Sequence, residues 1–150
     1  MKIFEKYIQE AFGCLLMHSV FLKDGRIRKG KIIDKNDIAM MERSDIEKVQ
    51  VGELEDDDIG ENAASGLIAK AIATNQFSIS PTLSGKTNIT SIADGLIEID
   101  EGNVIKLNNL SPNIAVSTLN NHDVVYRGDH TVSVKIISFV ISSSDLDKIL

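Results

Sequence analysis

A basic turn set between two apolar segments is the feature that most limits how this chain can fold. Residues 14–22 are apolar apart from His18 and Ser19, residues 23–30 read KDGRIRKG, and residues 31–38 read KIIDKNDI. The stretch predicts a small unit of short elements, and a long helix does not fit it. Gly30 closes a turn, Asn36 caps a short helix carrying Ile38, Met40 and Met41, and residues 46–51 return as a strand.

The turn is also the most charged part of the chain. Lys23, Arg26, Arg28, Lys29, Lys31 and Lys35 fall within thirteen residues of a protein whose net charge is −6. A local excess of one sign implies an anionic ligand or a solvated hairpin tip. Arg26 and Arg28 stand at alternate positions, so on an extended segment they share a face and two guanidinium forks can reach one phosphate. The seven aromatic residues include none inside this crest to stack on bases, which argues against nucleic acid.

Elsewhere the pattern is mixed. Residues 2–11 space Ile3, Tyr7 and Ala11, with Phe4 and Ile8, as one face of a helix. Residues 59–74 form the clearest amphipathic helix, with Asp58 as its N-cap and Glu61 completing a capping box at the end of the acidic run 53–58. Residues 78–88 are rich in hydroxyls and turn formers and predict a loop. Residues 95–100 alternate as a half-buried strand, and residues 101–110 predict a helix ending near Pro112. Strands are expected at 115–119, 124–126 and 131–141, with a turn at Arg127, Gly128 and Asp129. The apolar set shifts phase within the last strand, which implies a bulge near residues 135–137 or burial on both faces. Residues 142–150 read as the start of a linker helix.

Several activities are excluded on chemical grounds. No apolar run reaches the ~18–20 residues that cross a bilayer, and no signal-peptide pattern is visible, so a cytoplasmic protein without membrane partners is expected. The single cysteine, Cys14, sits in an apolar segment and reads as a buried structural thiol. Gly85, Lys86 and Thr87 end like a phosphate-binding loop, but the glycine that should precede them is missing. His18, His122 and His130 lack the spacing of metal ligands, and His18 with Ser19 reads as a buried polar pair inside a strand. No nucleophile elbow and no paired-carboxylate spacing is present, so no catalytic residue is assigned.

Taken in order, His18-Ser19, Lys29-Gly30, Asp37-Ile38, Glu61 with Ala63-Ala64, Gly85-Lys86-Thr87-Asn88, Gly95 and the closing VKIISF at 134–139 resemble the N-terminal region of bacterial molybdopterin-binding proteins, relatives of molybdopterin molybdotransferase that are often fused to a nucleotidyltransferase. Lys86 stands where that pattern has Arg, Asn62 where it has Asp, and Ser138 where it has Pro. The resemblance implies an accessory domain of molybdenum-cofactor biosynthesis that holds molybdopterin, or its adenylylated form, beside a catalytic or nucleotidyltransferase domain in a homo-oligomer, with any Mg2+ residing in that other domain. Lys23, Arg26, Arg28, Lys29, Lys86 and Asn88 are then the anion contacts. The alternative is a non-catalytic dimerisation or docking module with no small-molecule ligand, and a third reading is a small enzyme completed by a second subunit. The fold class expected is α+β, one domain with a β-barrel-like or β-clip portion and the helix at about 59–74 packed across it.

Overall fold

The computed structural model describes residues 1–149. The fold is α+β with open sheets, and no closed barrel forms among the described residues. The sequence suggested one domain; the chain divides into two compact units, the first spanning Met1–Asp56 and the second beginning at Asp57. No helix among the described residues is long and apolar enough to cross a membrane.

The first unit comprises β1 (Lys2–Tyr7), a single 3-10 turn (Ile8–Glu10), β2 (Leu15–Leu16), β3 (Val20–Leu22), β4 (Gly25–Ile27), α1 (Lys35–Arg43) and β5 (Lys48–Glu53). Strand β5 is central, with antiparallel β1 on one side and β2 on the other. Its Val49 and Val51 point inward at period two and join Ile8, Leu16, Ile27, Ile33 and Met41 in one core. Cys14 is buried in that core as a free thiol. The helix expected over residues 2–11 is therefore a strand. So short a segment cannot hold a helix alone in water, and pairing from Lys2↔Glu53 to Tyr7↔Lys48 satisfies its backbone instead.

Helix α1 forms as expected, but its cap is Asp34 and not Asn36. The Asp34 carboxylate accepts from the backbone N–H groups of Asn36 (2.8 Å) and Asp37 (2.9 Å), while Asp37 accepts from the Asp34 N–H (3.0 Å). This is the reciprocal box that the sequence placed at Asp58 and Glu61. Helix α2 instead starts after Gly60, with no side-chain cap. The acidic run serves other ends: Glu53 pairs with Lys6, Glu55 with the N-terminal ammonium and Lys2, and Asp58 lies in a strand.

The second unit comprises β6 (Asp58–Gly60), α2 (Glu61–Ile72), β7 (Phe77–Ile79), β8 (Lys86–Ser91), β9 (Gly95–Leu96), α3 (Glu101–Leu110), β10 (Ile114–Thr118), β11 (Val124–Val125), β12 (His130–Ile136), β13 (Val140–Ser142) and α4 (Ser143–Asp147). A four-stranded sheet in the order β10-β12-β8-β7 forms its centre. Ala64, Ser65, Ile68 and Ala69 of α2 are buried with Ile89, Ile114, Val116, Val134 and Ile136 of the sheet. The Ser65 hydroxyl lies 2.7 Å from that of Thr87 and donates to the Val134 carbonyl at 3.2 Å, so the buried polar groups are satisfied.

Three expectations change here. The strand drawn over 131–141 is two: β12 leaves the sheet after Ile136, and β13 pairs with β6. That exit causes the phase shift, and the register irregularity lies farther back, between His130 and Val132. Half of the loop drawn over 78–88 is ladder, because β7 and β8 form a hairpin. Helix α4 begins where a linker helix was expected, but Leu146 is buried in the core of the unit; Leu150 lies outside the described residues.

The outer edge of β10 is covered by a side chain. Asn108 of α3 donates its Nδ2 to the Val116 carbonyl at 2.9 Å and accepts the Val116 N–H through Oδ1 at 2.7 Å. The carboxamide thus takes the place of a fifth strand, one way of blunting an edge that would otherwise pair with another chain. We predict that Asn108→Ala costs about 1–3 kcal/mol in urea unfolding, the price of leaving both groups unpaired. Amide exchange should speed up at Val116 while Val134 keeps its protection.

A second prediction concerns Asp34. Its carboxyl is held below the ordinary carboxylate range, first by the Asp37 backbone N–H and then by the Lys31 ammonium. A depressed folded-state pKa adds stability that is complete above the unfolded value of about 3.9 and disappears as pH falls through the folded value. Asp34→Ala should therefore lower Tm by a few degrees at pH 7, and the gap from the parent should close progressively below about pH 4. A gap that stays constant down to pH 2 would refute the assignment.

Candidate functional site: a pair of facing lysines on an open sheet

The second unit brings together residues that are far apart in sequence. Ser84 and Gly85 form the two-residue turn between Leu83 and Lys86, both with left-handed backbone (φ 49° and 69°), a conformation that favours glycine at one position at least. Gly85 is bonded on both sides. Its N–H donates to Asn62 Oδ1 at 2.7 Å, and its carbonyl accepts the Ile136 N–H at 2.8 Å. The first bond ties the turn to the start of α2, and the second sets the register of β8 on β12.

That register places Lys86 directly opposite Lys135, and Asn88 opposite Ser133. On the next strand, Ala115 faces Lys135 and Ser117 faces Ser133. The inward alternates Thr87, Ile89, Val134 and Ile136 are buried, so the set with Lys86 forms the outer face. A groove of ≈ 470 Å³ lies along it, lined by Lys86, Lys135, Ser133, Ser117, Asn108 and neighbouring β10 residues. None of its lining side chains is acidic.

The polar groups are oriented. Ser133 Oγ donates to Asn88 Oδ1 at 2.7 Å, which leaves the Asn88 Nδ2 free to donate elsewhere. Lys135 Nζ donates to the Ser84 carbonyl and lies 4.0 Å from Glu61 Oε2. Lys86 has no ion pair among the described residues. Like charges placed directly opposite across a ladder repel, and an anion seated between them relieves that repulsion. The arrangement can bind and orient an anion; it contains no general base aligned with a nucleophile.

The other expected anion residues belong to the first unit. Arg26 lies in β4 beside buried Ile27, and Arg28 follows it, so the two do share an exposed face. Lys23 is taken by Asp45 (2.6 Å), and Lys31 by Asp37 (2.6 Å) and Asp34 (3.1 Å). Those bonds, Asp37 first, hold the Lys31 ammonium above the usual lysine range. Arg26, Arg28, Lys29 and Lys35 carry no ion pair among the described residues. His18 and Ser19 are not a buried pair: His18 is exposed in a bend between β2 and β3, and Ser19 Oγ accepts the Lys29 N–H at 3.1 Å. The apolar segment breaks there, so no imidazole needs burial. His130 lies 3.3 Å from Thr90 Oγ1, and His122 sits in a turn with φ 67°. Among the described residues no group of His, Cys, Asp and Glu is arranged to hold a metal ion.

Sequence reasoning missed Lys135, Ser133, Ser117 and Asn108. The alternation of residues 130–136 puts Ser133 and Lys135 on one face, a legible signal. Which residue faces Lys86 follows only from the Gly85–Ile136 bond.

No family model matches the chain, and no curated protein or solved structure matches it either.

A Cβ added at Gly85 would meet Glu61 Oε2 at 2.8 Å and the Ile136 carbonyl oxygen at 3.0 Å. Gly85→Ala should cost about 2 kcal/mol or more, since crowding adds to left-handed strain, and NMR should show the β8–β12 amides shifting first. Stability equal to the parent would contradict the assigned turn.

Proposed function

We propose that this chain is a non-catalytic binding domain for a small phosphate-bearing molecule, seated on the second unit between Lys86 and Lys135. The observation that carries the reading is their cross-strand register above a groove with two cations and no carboxylate, in a chain of net charge −6. Asn88 Nδ2 and the Ser117 hydroxyl supply donors for the remaining oxygens. The resemblance gives the ligand a candidate chemistry: molybdopterin or its adenylylated form, presented to a catalytic or nucleotidyltransferase domain in a bacterial cytoplasm. Asn62 departs from that pattern, which has Asp there, but its Oδ1 accepts the Gly85 N–H as a carboxylate oxygen would. The Arg26 and Arg28 face of the first unit is a second, weaker anion contact, since two of the six crest cations are already neutralised by aspartates.

Another reading is favoured by a separate observation. Leu96 and Val124 face each other across β9 and β11 and stand 65% and 61% exposed, as a dimerisation or docking surface would. One titration separates the two. Calorimetry with inorganic phosphate and with a pterin phosphate, at about 0.1 M salt, should show Lys86→Ala with Lys135→Ala weakening both ligands at least tenfold, because charge-assisted contacts are worth roughly 1.5–3 kcal/mol each. Arg26→Ala with Arg28→Ala should weaken them less than about threefold. No binding at millimolar ligand, or affinity that the lysine variant leaves untouched, refutes the anion site and leaves the docking module.

A further inference from the structure

Helix α3 is unusual in burying none of its residues completely, although Leu107 packs against the core of the unit. An unfilled space lies beneath it. A pocket of ≈ 280 Å³ is lined by Val104 and Leu107 of α3, Val116 and Val132 of the sheet, Ile72 at the end of α2, and Ile99. Its walls are aliphatic. The polar lining is Glu98, Asp100, Asn103 and Thr118, which gives the pocket two carboxylates and no cation. Asp100 is committed to capping α3, accepting from Asn103 N (3.0 Å) and Nδ2 (2.8 Å). Glu98 is exposed and has no hydrogen bond or ion pair among the described residues.

A dry apolar cavity of about 150 Å³ already admits benzene, and ligand pockets begin at about 300 Å³. The space under α3 therefore suits one ring or a short branched chain. Size and charge together select the ligand. We propose that the pocket beneath α3 binds a compact aromatic or aliphatic amine, with its apolar body among Val104, Leu107, Val116 and Val132 and its ammonium at Glu98. The site is separate from the lysine groove, which selects the opposite charge. Helix α3 is suited to admit such a ligand, because Asn108 pins it to the strand edge while none of its side chains is fully buried.

The test is a methyl-resolved NMR titration of the whole chain with three probes that share a ring and differ in charge: benzylamine, toluene and benzoate. Benzylamine should bind with Kd of about 1 mM, toluene about threefold more weakly, and benzoate at least tenfold more weakly, with shifts concentrated at Val104, Leu107, Val116 and Val132. Val104→Phe, which fills the space from the helix, should abolish binding of benzylamine and toluene. Glu98→Gln, a change at an exposed side chain, should bring benzylamine down to the affinity of toluene and leave toluene unchanged, and this arm holds even if the phenylalanine variant fails to fold. Benzoate binding as tightly as benzylamine, shifts scattered away from the methyls of these four residues, or no binding at about 10 mM would overturn the proposal.

Discussion

Gly85 is the point on which the second unit turns. Its left-handed backbone reverses the chain, its N–H is held by Asn62 at the start of α2, and its carbonyl receives the Ile136 N–H. A strand slipped by one residue would exchange its faces entirely. This one residue therefore decides that Thr87 and Ile89 point into the core and Lys86 and Asn88 point out. The buried Ser65 and Thr87 hydroxyls and the half-buried Thr82 hydroxyl reinforce that choice, since they bond one another and the Val134 carbonyl in this register. Packing and site are thus one constraint seen from the two faces of a sheet.

The distribution of charge follows from the same logic. In the first unit most carboxylates near the basic crest have partners: Asp45 holds Lys23, and Asp34 and Asp37 hold Lys31. Asp37 is almost fully buried, and its contacts with the Asp34 N–H and the Lys31 ammonium make that burial tolerable. The outer face of the sheet differs. There Lys86 and Lys135 stand opposite one another, and the carboxylate beside them, Glu61, lies 4.0 Å from Lys135; an anion seated between the two ammoniums lowers their mutual repulsion. Like charges held opposite one another on an exposed face are a reason to look for function at that place.

Much of the architecture was legible because it rests on periodicity. Helix α2, helix α3, the strands β5, β10 and β11 and the turn at Gly128 all follow from local pattern. What escaped depended on partners distant in the chain. Residues 2–7 carry helical spacing and still form a strand, because β5 offers a ladder. Capping was read at Asp58 and Glu61, whose composition suits it, while the bonds form at Asp34 and Asp37. The site was half visible: Lys86 and Asn88 stood out in a turn-rich segment, whereas Lys135 and Ser133 join them only through the long-range register. The burial assigned to His18 failed because the apolar segment 14–22 contains a bend.

The central claim is that Lys86 and Lys135 form one anion site and not two independent surface charges. A double-mutant cycle on inorganic phosphate affinity, using each alanine variant and the pair, measures that directly. If both ammoniums grip one anion, either single change should remove most of what the double change removes, giving a coupling of about 1 kcal/mol or more at low salt. Losses that simply add, or a cycle in which no variant changes affinity, would contradict the account.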